Sequence, residues 1–207
     1  MARSKSSAAW LSEHVHDHWV HKAKAEGWRS RAVFKLMEID DRDHLLRPGS
    51  IVVDLGATPG GWCQLAARRL AGRGRIIGVD LLEMEPIAGV EFIQGDFTQA
   101  AILDALQALL GERRTDLVLC DMAPNLSGVV AADQARSLHL AELALEFALE
   151  HLQPAGAFLV KVFHGSGFEV YRRQLQASFS LVATRKPKAS RDRSSEVYLL
   201  ARGLKSA

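Results

Sequence analysis

Short apolar runs alternate with helical stretches along most of the chain, and this alternation constrains the fold more than any other feature. Residues 51–55, 75–79, 90–93, 116–120 and 157–163 read as strands. Between and around them, residues 11–24, 30–46, 61–70, 99–110, 131–152 and 168–177 carry helical spacing; the second has Val33, Phe34, Leu36, Met37 and Ile39 on one side. Strands that alternate with helices imply βαβ units, hence a parallel sheet covered on both faces. Residues 179–184 and 196–201 read as two further strands joined by a basic loop, 185–193, so an antiparallel closing strand is expected. The predicted fold is a doubly wound α/β domain behind an N-terminal helical extension. Its boundaries are 1–47 for the basic extension, 48–202 for the α/β core and 203–207 for a loose tail.

With 207 residues, 48% of them hydrophobic, the chain can bury a core without covalent staples and is too apolar for a disordered protein. No run of about 18 apolar residues offers a membrane span. Met1-Ala2-Arg3-Ser4-Lys5 leads into no apolar segment of a secretory signal. The two cysteines, Cys63 and Cys120, each sit in an apolar segment, which predicts small core residues in a reducing cytoplasm.

In an open α/β sheet, ligands sit beyond the carboxyl ends of the strands, near the point where strand order reverses. After the first strand comes Asp54-Leu55-Gly56-Ala57-Thr58-Pro59-Gly60-Gly61-Trp62. A dinucleotide fingerprint fails here because Thr58 stands where its second glycine belongs, and a P-loop fails because Gly61 is followed by Trp62-Cys63. Asp80 ends the second strand, where a carboxylate accepts hydrogen bonds from ribose hydroxyls. Asp96, between Gly95 and Phe97 after the third strand, suits an adenine amino group. Carboxylates after successive strands, without a pyrophosphate cradle, favour S-adenosylmethionine over NAD or ATP. At the fourth and fifth strands, Asp121 follows Cys120, and Lys161 lies inside the apolar run Phe158–Phe163. Burial of that lysine would depress its pKa and make it a candidate general base.

Five segments then occur in order: Arg29-Ser-Arg-Ala-Val-Phe-Lys-Leu36, Asp54 to Trp62, Asp121-Met-Ala-Pro-Asn125, Leu159-Val-Lys-Val-Phe163 and Arg193-Ser-Ser-Glu-Val-Tyr198. Together they resemble the FtsJ/RrmJ (RlmE) family of RNA ribose 2′-O-methyltransferases, from about Trp10 to Ala201. The resemblance implies a class I, Rossmann-like methyltransferase fold with a mostly parallel seven-stranded sheet. It also implies a catalytic tetrad of Lys35, Asp121, Lys161 and Glu196. By the same resemblance, Gly60, Trp62, Asp80, Asp96 and Asp121 contact S-adenosylmethionine. The implied substrate is a uridine in the A loop of 23S rRNA on the large ribosomal subunit, in the cytoplasm and with no obligate protein partner. All four tetrad members are present, which argues for turnover over a non-catalytic role in ribosome assembly. The short length, and the lack of a recognisable guanine-stacking pocket, favour ribosomal RNA over tRNA or an mRNA cap.

Charge is uneven. Residues 1–35 carry a net +4, residues 181–207 a net +5 and the middle a net −7, within a total of +2. A rim formed by both basic ends would contact RNA phosphates. Lys22, Lys24, Arg29 and Arg31 are the expected contacts. His14, His16, His18 and His21 crowd one stretch, but a polar or RNA-facing surface is expected there and no metal site. His164-Gly165-Ser166-Gly167 lacks the nucleophile elbow of a hydrolase.

Overall fold

A computed structural model describes residues 17–124, 127–191 and 194–205. In chain order the elements are α1 (His18–Ala25), α2 (Val33–Asp43), β1 (Ile51–Leu55), α3 (Gly61–Leu70), β2 (Arg75–Asp80), β3 (Val90–Gln94), α4 (Ala100–Leu110), β4 (Thr115–Cys120), α5 (Val130–His151), β5 (Leu152–Phe163), α6 (Phe168–Ser178), β6 (Phe179–Arg185) and β7 (Glu196–Leu204). The strands form one sheet in the order β3-β2-β1-β4-β5-β7-β6. β1 pairs in parallel with β2 and β4, as do β2 with β3 and β4 with β5. β7 runs antiparallel between β5 and β6. The strand order reverses between β1 and β4, so the crevice for a ligand opens at their carboxyl ends.

Strand alternation divides the core into two layers. Val53, Leu55, Ile77, Val118, Phe158 and Val160 face α4, α5 and α6. Val52, Ile76, Leu117, Leu119, Leu159 and Leu200 face α2 and α3, through Phe34, Leu36, Trp62 and Leu65. The sheet is apolar on both sides because helices cover both sides. Asp54 and Lys161, continuing the Val52 and Leu159 sides of their strands, point to the α2/α3 layer.

Several boundaries differ from expectation for identifiable reasons. The second helix starts at Val33, after a tight turn in which the Val33 and Phe34 amides bond the Ser30 and Arg31 carbonyls. It stops at Asp43, because His44 turns left-handed at φ 51° and Asp40 Oδ1 accepts the Leu45 and Leu46 amides, each at 2.8 Å. β5 begins at Leu152, five residues early; a register shift between Thr115 and Leu117 absorbs the extra residues and accommodates Pro154. β7 continues through Leu204, which pairs with Phe179, so the expected loose tail is strand at its start. Arg185 clamps α2 to β6 through two 2.7 Å bonds to the Asp43 carboxylate. The part of the first predicted helix before Asp17, with His14 and His16, lies outside the described residues, as do Asn125, Arg193, Ser206 and Ala207. His18 packs its ring edge-on against Trp19.

Candidate active site

Antiparallel pairing of β5 with β7 sets the geometry of the candidate site. Lys161 stands opposite Tyr198, and Phe163 stands opposite Glu196. Glu196 and Tyr198 are two residues apart, so both project to the face that Lys161 occupies. Lys161 Nζ donates to the Asp121 carbonyl at 2.6 Å and lies 3.1 Å from Asp121 Oδ1. Tyr198 donates its hydroxyl to that Oδ1 at 2.8 Å. From α2, Lys35 Nζ reaches Glu196 Oε1 at 2.7 Å, where the Ser190 hydroxyl also donates at 2.8 Å. Lys35 Nζ lies 5.8 Å from the centre of the Tyr198 ring. The four residues expected as a tetrad thus form two ion pairs bridged by one tyrosine. With its side chain only 7% exposed, Lys161 is anchored and shielded from bulk water. Burial pushes the Tyr198 phenol well above its usual range, reinforced by the Asp121 and Glu196 carboxylates, so it stays a donor to Asp121.

Beside these pairs, at the β1/β4 switch point, lies a cavity of about 410 Å³. Its wall carries Asp80, Asp96 and Asp121, the apolar Leu82, Phe97 and Met122, and, among the described residues, no lysine or arginine. Asp80 accepts the Thr58 amide at 2.9 Å and the Leu82 amide at 2.8 Å, tying the glycine-rich loop to the segment after β2. Asp96 accepts the amide and hydroxyl of Thr98 through Oδ1, and these bonds hold its carboxyl below the usual range. Each carboxylate keeps acceptor capacity for a ligand. Gly56, at φ 84°, lines the cavity where a Cβ would lie 2.8 Å from the Met122 amide nitrogen. A wall that presents three carboxylates repels a pyrophosphate and suits a nucleoside bearing positive charge. The residues present therefore fit S-adenosylmethionine.

Two expected cofactor contacts do not wall the cavity. Gly60 opens α3 at φ 103°, facing Met84, Ile87 and Arg29. Trp62 turns its indole into the α2/α3 layer, donates to the Ala32 carbonyl at 2.8 Å and packs on Tyr198 at 5.7 Å.

The basic segments do meet: Lys35 pairs with Glu196, the Arg31 guanidinium bonds the Ala189 carbonyl, and the Lys188 amide donates to Glu38. Three of the four cations expected to face RNA have partners within the chain. Arg31 pairs with Asp17 as well as Ala189. Arg29 bonds the carbonyls of Pro59, Glu85 and Pro86. Lys22 lies over the Trp19 and Phe34 rings. Lys24 is exposed. These arginines sit at a junction of loops whose carbonyls need donors, which a charge count along the sequence does not reveal.

Two buried polar residues at the site were left unassigned by the sequence: Tyr198, to which period-two spacing from Glu196 points, and Asp54. Asp54 is 1% exposed, accepts the Cys63 thiol at 3.2 Å, and has no partner for Oδ1 among the described residues. Its signal was a carboxylate inside an otherwise apolar strand.

A family model described as FtsJ-like methyltransferase matches residues 28–204. The ribosomal RNA large subunit methyltransferase E of Dechloromonas aromatica is 58% identical over 205 residues, covering 99% of this chain and 100% of that protein. The protein of the same name from Alkalilimnicola ehrlichii is 60% identical over 201 residues, or 97% of this chain and 96% of its own length. Among solved structures, a Plasmodium falciparum chain assigned as a ribosomal RNA methyltransferase matches with a TM-score of 0.79 at 30% identity, over 87% of this chain and 100% of that one.

Proposed function

The chain belongs to the FtsJ-like methyltransferase family, and from that premise we propose that it methylates the ribose 2′-hydroxyl of a uridine in the A loop of 23S rRNA, on the large ribosomal subunit. S-adenosylmethionine is the donor. One observation carries the reading: a carboxylate-walled cavity, without a cation among the described residues that line it, adjoins an anchored lysine, and Asp121 belongs to both.

Lys161 is the residue that steers or removes the hydroxyl proton. Two of its hydrogen-bonding directions are spent on Asp121, which leaves a third for the ribose oxygen. Asp121 fixes the lysine from one side while lining the cofactor cavity on the other, so acceptor and donor are held relative to one group. Tyr198 keeps that carboxylate from rotating away. Lys35 and Glu196 form the outer pair, where Lys35 offers a cation to the RNA backbone beside the target ribose. When bound, S-adenosylmethionine supplies a methyl group already activated on a sulfonium. Positioning of the attacking oxygen then accounts for much of the rate.

In this reading residues 1–207 act as one domain in the cytoplasm, the N-terminal segment contributing Lys35 and no further protein being required. The test is methyl transfer from labelled S-adenosylmethionine to undermethylated large subunits, free 23S rRNA and tRNA. Label on a uridine ribose of the large-subunit RNA is the expected result. Label on tRNA, or on a base, contradicts the reading.

A further inference from the structure

Arg29 occupies an unusual position for a residue in a basic N-terminal segment. Its Nη1 donates to the Glu85 carbonyl at 2.5 Å and the Pro59 carbonyl at 3.4 Å, and its Nη2 donates to the Pro86 carbonyl at 2.8 Å. Pro59 belongs to the glycine-rich loop after β1; Glu85 and Pro86 belong to the segment between β2 and β3. Those two loops also supply Gly56, Thr58, Leu81 and Leu82 to the cofactor cavity. One guanidinium therefore holds both loops from outside the cavity.

The backbone of the same residue is fixed as well. The Arg29 amide donates to Gln64 Oε1 at 3.1 Å, and Gln64 Nε2 donates to the Gly27 carbonyl at 2.9 Å. Gly60 leaves room for the arrangement, since a Cβ there would lie 3.1 Å from Arg29 Cδ. Six residues further along the chain, Lys35 pairs with Glu196. Residues 29–35 thus form a short bridge with the cofactor loops at one end and the catalytic pairs at the other.

A guanidinium has five donors in a planar fork and no acceptor, so it can satisfy several carbonyls that converge from different loops; an ammonium presents a point charge and lacks that geometry. We propose that Arg29 is a positioning residue that couples the cofactor loops to the segment carrying Lys35, so that cofactor binding orders that segment for RNA. The proposal rests on the cofactor cavity assigned above. Because coupling free energies are reciprocal, RNA binding tightens cofactor binding by the same factor.

The test uses the full chain as wild type, Arg29→Ala and Arg29→Lys. S-adenosylhomocysteine is titrated by calorimetry with and without 23S rRNA, and amide exchange is followed over residues 28–36. Binding of S-adenosylhomocysteine by the wild type checks the cavity assignment separately from the coupling. In the wild type, S-adenosylhomocysteine slows exchange over residues 28–36, and RNA tightens its binding. In Arg29→Ala its affinity falls about tenfold, the scale of one charge-assisted hydrogen bond, and both linked effects vanish. Arg29→Lys restores part of the affinity and of the protection; because it keeps the charge and most of the volume, it decides the matter if the alanine variant does not fold. Unchanged affinity and protection in the variants overturn the proposal. So does loss of RNA binding with cofactor affinity intact, which would make Arg29 a phosphate contact.

Discussion

Replacing Asp54 by asparagine tests the electrostatics beneath the cofactor cavity. Burial, with the nearby Asp121 and Asp80 carboxylates, pushes the Asp54 carboxyl up to about 7, against the opposing effect of the Cys63 thiol donor. In an unfolded chain an aspartate ionises near pH ~3.9. Between about pH 4 and pH 7 the unfolded chain therefore holds fewer protons at this position than the folded one, and stability falls as pH rises through that window. Below it the penalty is absent; above it the penalty is complete. A separation of about three pH units corresponds to roughly 4 kcal/mol. Asparagine cannot ionise, but its amide would place N–H donors where Oδ1 has no partner, at a cost of about 1 kcal/mol. Asp54→Asn is accordingly near parity with the wild type at about pH 5 and roughly 3 kcal/mol more stable at about pH 8. Urea denaturation of both proteins across this range measures the difference, in which other titrating groups largely cancel. A difference independent of pH would refute the assignment of a buried, proton-holding carboxylate.

Other substitutions probe separate parts of the account. Tyr198→Phe removes the donor to Asp121; turnover falls roughly 10- to 100-fold while S-adenosylhomocysteine affinity changes little, as single-turnover kinetics and calorimetry can measure. Gly56→Ala forces a Cβ against the Met122 backbone at a left-handed φ, and calorimetry should record at least about tenfold weaker cofactor binding. Arg185→Ala leaves the Asp43 carboxylate, which Arg185 holds below its usual range, without its main partner; urea denaturation should show a loss of about 3 kcal/mol.

The strands and their parallel order were legible because apolar runs bounded by glycine turns leave few alternatives for a buried parallel sheet. The pairing of Lys161 with Asp121 was legible because one is a cation in an apolar strand and the other follows the strand beside it, whereas Lys35 and Glu196 were expected only from the family resemblance. The placing of Asp80 and Asp96 around one cavity was legible from their positions after successive strands. What escaped detection depends on contacts distant in sequence. The partners of Arg29 and Arg31, the carbonyls of residues 59, 85, 86 and 189, are brought to them only by the fold. Trp62 follows the glycine-rich loop in sequence, yet the first turn of α3 rotates its indole onto Tyr198. The early end of α2 depends on Asp40 capping two amides beyond the helix, a side-chain choice that helical periodicity does not encode.

The central claim is that Lys161, held by Asp121 beside the cofactor cavity, handles the proton of the ribose hydroxyl. Its most direct test is single-turnover methylation of undermethylated large subunits by Lys161→Met, with S-adenosylhomocysteine affinity measured on the same protein. Methionine keeps much of the buried volume and removes the amine. The account predicts a rate lower by roughly 10²- to 10⁴-fold, the range for a lost general base, with cofactor affinity within about threefold of wild type. A methylation rate within about tenfold of wild type would contradict it.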